Sequence, residues 1–157
     1  MIGMLRLLAL FLTAAALLPA ADLPTKKWLN LAAIKTMVAA SEAEAEKRHV
    51  QVTLCVVDES GNLLFLQKAD GASLNTIQFA QRKARQAAAY GSPSAHAADE
   101  LKAGNLQILA FPDSFPNQGG LPIKVDGYVI GGMAASGAAS EIDEAIAQAG
   151  INALLSR

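Results

Sequence analysis

Residues 119–137 read GGLPIKVDGYVIGGMAASG, and this stretch decides the fold. Two apolar runs flank Asp126-Gly127, a pair suited to a tight type I′ turn. Gly120–Val125 and Tyr128–Ala135 are therefore expected to form an antiparallel hairpin. A second hairpin precedes it. Gln51 to Val57 is apolar on both faces and reads as a central strand. Asp58-Glu59-Ser60-Gly61-Asn62 is a turn, Leu63 to Gln67 is the return strand, and Asp70-Gly71 ends it.

Helices fill the space around these hairpins. Asn30 is placed to cap a helix from Leu31 to about Arg48, with Leu31, Ile34, Val38 and Ala45 at helical spacing. A second helix is expected from Ser73 to about Tyr90, stopped by Gly91. Its inner face is Leu74, Ile77, Ala80, Ala84, Ala87 and Ala88, small enough to lie close to a sheet. Ser94 opens a shorter helix that stops at Gly104, and Pro112 and Pro116 interrupt any long strand after it. Ser140 is expected to cap the last helix, with Asp143 three residues on like a shortened capping box. Hairpins covered by helices make an α+β fold with a mostly antiparallel sheet, rather than a doubly wound parallel one.

The first 21 residues read as a secretory signal peptide. Arg6 is the only charge at the start, Leu7 to Leu18 is apolar except for Thr13, and Pro19-Ala20-Ala21 leads out. The run falls short of the roughly 20 apolar residues a spanning helix needs. Cleavage after Ala20 or Ala21 leaves residues 22–157 as one domain in the periplasm or outside the cell, with no stable membrane span. Retention of the leader as an anchor is the alternative. The chain has 13 basic and 14 acidic residues, so losing Arg6 makes the mature part slightly acidic. No basic excess exists to grip a phosphate backbone, which argues against nucleic-acid binding. Cys55 is the only cysteine, so no internal disulfide forms, and its apolar neighbours mark it as a buried small hydrophobe.

Several motifs act as a set: Val56-Val57-Asp58-Glu59-Ser60-Gly61-Asn62-Leu63, Gly119-Gly120-Leu121-Pro122-Ile123 with Asp126-Gly127, Ile130-Gly131-Gly132, Ser136-Gly137-Ala138, and Asp143-Glu144. Lys83-Ala84 on the second helix joins them. In this combination the chain resembles the GlcG/HbpS-like family of haem-binding proteins, from about Leu29 to Leu155. The resemblance implies a profilin-like fold and homo-oligomers. It also implies haem binding in exported members, and for some members a role in haem degradation or iron sensing.

Haem iron takes His, Met, Cys or Tyr as axial donor. His96, at the start of the short helix, is the leading candidate, ahead of His49 at the end of the first helix. Met133 is a soft donor on a strand, where core packing is the plainer role. Tyr90 and Tyr128 rank last. Arg82, Lys83 and Arg85 are cations able to meet haem carboxylates. Ser136 and Gly137 precede a helix start whose free N–H groups suit an anion, while Gly137 as a turn residue and Ser140 as a cap is the simpler account. Glu141 and Glu144 share a helix face and could hold iron or another cation, although acids are enriched at helix starts for electrostatic reasons. No nucleophile, dinucleotide or zinc motif is present. Two further functions remain open beside haem binding. One is an enzyme acting on haem or a small organic acid, with Asp58, Lys83 and Asp126 as its acid–base groups. The other is a non-catalytic accessory or sensor module.

Overall fold

The structure, a computed structural model, describes residues 22–156. The leader reading lies outside the described residues. Helix α1 spans Leu31–Lys47, strands β1 and β2 span Thr53–Asp58 and Leu63–Lys68, and α2 spans Thr76–Tyr90. Helix α3 covers Ala95–Lys102 and is followed by a 3₁₀ segment at Leu106–Ala110. Strands β3 (Gly120–Val125) and β4 (Tyr128–Ser136) lead to α4 (Ser140–Leu155). The four strands form one antiparallel sheet in the order β2-β1-β4-β3, so the expected α+β class and both hairpins are observed.

Strand β1 explains why its sequence is apolar throughout. Leu54 and Val56 point into a core with Ile34, Met37 and Val38 of α1, Leu121, Ile123 and Met133 of the sheet, and Ile146 and Ile151 of α4. Cys55 and Val57 point the other way, against Ala80, Ala84 and Ala88 of α2. Side chains alternate across a strand, so a helix layer on each face requires apolar residues at both parities. The alanines let α2 settle onto the sheet. At Gly132 of β4 a Cβ would stand 2.2 Å from the carbonyl oxygen of Ala84. The visitor at this strand glycine is therefore the helix backbone.

Local signals mostly survive. Val125 faces Tyr128 across the β3–β4 turn, where Asp126 and Gly127 have φ of 51° and 82°, the positive pair a type I′ turn needs. Asn30 Oδ1 accepts the Ala33 N–H at 2.8 Å and caps α1. Gly91 ends α2 in the left-handed conformation, at φ 61°.

Five expectations need correction. Helix α2 begins at Thr76 rather than Ser73, because the Ser73 carbonyl is taken by the N–H and hydroxyl of Thr76 in a preceding turn. Leu74 is thereby left exposed instead of facing the sheet. Leu31 is also exposed rather than inward. Ser140 is the first helical residue of α4, not its cap; Ala139 occupies the cap position. Ser94 precedes α3 without capping it, since its hydroxyl donates to the Asn117 carbonyl at 2.7 Å and accepts the Gly120 N–H at 2.9 Å.

Candidate functional site

Residues 22–30 have no regular structure and cross one end of the sheet as a strap. Leu29 anchors it. That side chain is buried in the core, and a Cβ on Gly131 would stand 2.7 Å from its Cδ1 and 2.4 Å from the Val57 carbonyl oxygen. Gly131 thus leaves the notch into which the strap locks. Two ion pairs hold the strap to the hairpin turns: Lys26 to Glu59 in the β1–β2 turn, and Lys27 to Asp126 in the β3–β4 turn. The Lys26 hydrogen bond holds the Glu59 carboxyl below its ordinary range.

Between strap and hairpin lies an open groove of about 530 Å³, lined by residues 24–27 and by Val125, Asp126, Tyr128, Val129 and Ile130. Its walls are largely apolar, and its rim carries two ammonium groups, one carboxylate and the Tyr128 phenol. A smaller adjoining hollow of about 360 Å³ shares Lys26, Lys27, Val125 and Ile130 and adds Trp28, Ala33 and Leu154. Mostly apolar clefts with a few polar groups at the edge are the usual form of small-molecule sites.

The residues singled out from the sequence do not converge on this groove. His96 stands exposed on α3, its Nε2 3.7 Å from Glu100. His49 is exposed beyond the end of α1, with φ of 56°. Met133 is fully enclosed in the core between the sheet and its helices. Cys55 is buried as expected, and burial pushes its thiol up to about 12.

Lys83 differs most from its expected role as a cation free to meet a haem carboxylate. It is only 1 % exposed, and its Nζ lies 2.9 Å from Asp143 Oδ2 and 3.3 Å from the Ala135 carbonyl oxygen. Arg82 and Arg85, its neighbours, do reach the surface, over Phe115 and beside Asp113 respectively. The other oxygen of Asp143 accepts the Ala138 N–H at 2.9 Å. The anion at this helix start is therefore supplied by the chain itself. Ser136 is buried at the end of β4, and Gly137 is exposed in the loop with φ of 149°.

Glu141 is exposed and Glu144 half-buried, with one Glu144 carboxylate oxygen enclosed and unpartnered among the described residues. No three His, Cys, Asp or Glu side chains gather to hold a metal among the described residues. Asp58 organises its turn: burial opposes ionisation, but the Asn62 side chain and the Asn62 and Ser60 N–H groups hold the carboxyl below its ordinary range. Asp58, Lys83 and Asp126 thus have separate structural partners. The Lys83–Asp143 pair escaped the sequence reading, although Lys83 lies at helical spacing from Ala80 and Ala87 on the inward face.

Comparison with known proteins bears on this arrangement. Residues 29–152 match the family model described as haem degrading protein HbpS-like. The chain belongs to the GlcG/HbpS-like family. Protein GlcG of Escherichia coli K12 is 30% identical over 112 residues, covering 71% of this chain and 84% of GlcG. The crystal structure of HbpS superposes with a TM-score of 0.79 at 29% identity, covering 90% of this chain and all of that one. A crystal structure of a PduOC:haem complex matches with a TM-score of 0.74 at 26% identity, covering 81% of this chain and 95% of that one. The matched region begins at Leu29, so most of the strap lies before it.

Proposed function

We propose that this GlcG/HbpS-like protein is exported and binds haem, which it buffers or presents outside the cytoplasm. The observation that carries this reading is the likeness, over four-fifths of the chain, to a relative crystallised as a haem complex. The leader sequence supports the location. The groove supports the ligand class: apolar walls suit the ring of a tetrapyrrole, and the Lys26 and Lys27 ammonium groups on the rim suit its carboxylates. Haem bound there would bring an iron centre. The chain's own part is to hold the ring against Val125, Val129 and Ile130 and to limit its contact with water.

Hemin titrated into the purified mature protein at micromolar concentration is expected to give a saturable Soret shift. A spectrum that remains that of free hemin overturns the reading. Cell fractionation is expected to recover a processed chain outside the cytoplasm, and recovery of an unprocessed cytoplasmic chain overturns export. The family description favours haem degradation as a second reading. That reading requires faster Soret loss, with iron release, than free hemin shows under the same reductant or peroxide. Self-association belongs to the same proposal, supported by uncovered apolar residues at the β2 edge, Leu63 and Leu64.

A further inference from the structure

We propose that Tyr128 is the axial iron donor of this protein and that the strap groove is the haem seat. The inference rests on the haem-binding reading above and adds the residues that carry it.

The donor inventory of the described residues is short. Met37, Met133 and Cys55 are fully enclosed in the two cores and cannot meet a ligand without opening them. Tyr90 gives its hydroxyl to the Pro112 carbonyl. His49, just past the end of α1, and His96, in the first turn of α3, are exposed, and neither lines the strap groove or the hollow beside it. Tyr128 remains. It lines the larger groove, is 77 % exposed, and its hydroxyl has no hydrogen-bond partner among the described residues. Tyrosine is an established type of axial ligand to haem iron.

The surroundings of Tyr128 fit the rest of the ligand. Val125, directly across the turn, and the adjacent Val129 and Ile130 provide apolar contact for a ring edge. Pro24 adds apolar lining from the strap, and Leu29 keeps the strap in place. Lys26 and Lys27 hold carboxylates already, those of Glu59 and Asp126. These pairs are solvent-exposed, so exchange for a ligand carboxylate costs little. A dicarboxylate ring therefore replaces one set of partners by another while the strap stays tethered. Lys27 pairs with Asp126, two residues from Tyr128, so the clamp and the donor share one turn.

The test uses the full mature protein, hemin as probe, and the variants Y128F, the double variant K26E/K27E, and H96A. Wild type is expected to bind hemin with the electronic and resonance Raman signature of iron–phenolate ligation. Y128F should lose that signature. Its affinity should fall by roughly tenfold or more, because disturbing even the outer partners of a metal ligand costs on the order of 10–100-fold. K26E/K27E should weaken binding while keeping the phenolate signature, and H96A should match wild type. Unchanged far-UV circular dichroism in each variant shows that the fold is intact. Wild-type binding with an unaltered spectrum in Y128F overturns the seat but leaves haem binding standing, as does loss of the wild-type spectrum in H96A. Failure of wild type to bind hemin overturns both.

Discussion

At the scale of single residues, Lys83 and Asp143 form the most consequential contact. Both side chains are almost wholly enclosed, at 2% and 3% exposure. Each holds a second backbone partner, so the pair ties α2 to β4 and to the loop before α4. Breaking such a pair from one side leaves a charge without compensation and costs about 3–5 kcal/mol. Asp143→Ala is expected to lower unfolding stability by that order in chemical denaturation. The double replacement Lys83→Met with Asp143→Leu should recover much of the loss. Cys55 makes a different prediction. Its thiol is raised from 9.0 to about 12 by burial, so the folded chain keeps the proton that the unfolded chain gives up sooner. The resulting stability is fully present below pH 9 and is lost as pH rises towards 12. Native protein near neutral pH should leave a thiol reagent unreacted until denaturant is added.

At the scale of elements, β4 is the strand on which the others depend. It pairs with β1 on one side and β3 on the other, and α2 rests on its Gly132. Gly132→Ala would place a methyl 2.2 Å from the Ala84 carbonyl and force helix and strand apart. A loss on the order of 1–3 kcal/mol is expected, read as a lowered denaturation midpoint. The element boundaries show how local signals succeed and fail. Asn30 caps α1 and Gly91 ends α2 because these signals need only neighbouring backbone. Ser94 and Ser140 carry the same capping chemistry, yet neither caps. The Ser94 hydroxyl is used by the Asn117 carbonyl and the Gly120 N–H, which reach it only in the folded chain.

At the scale of the whole molecule, two helix layers cover the sheet and leave its edges. Strand β2 is one edge; Leu63 and Leu64 there are 53% and 40% exposed, with no charged residue between Leu63 and Gln67. Uncharged apolar edges invite pairing with another chain. Light scattering is expected to give a mass above that of one chain, and a Leu64→Lys variant should shift it towards the monomer. A monomer at tens of micromolar for the unaltered protein would contradict self-association.

The sequence by itself determined the hairpins, the helix order, the α+β class and the kinship with GlcG and HbpS. These follow from periodicity, turn chemistry and short motifs, all of which act over a few residues. Tertiary structure decided which distant side chains meet. Lys83 and Asp143 are 60 positions apart, and Lys27 and Asp126 are 99 apart. A lysine beside two arginines reads as surface until the helix is seen to turn it inward. A tyrosine next to a D-G turn reads as a turn flank until the strap is laid across from it. Stretch 119–137 accordingly announced its hairpin at first sight. Its part in a groove came from packing against residues 24–29, a contact no local pattern encodes.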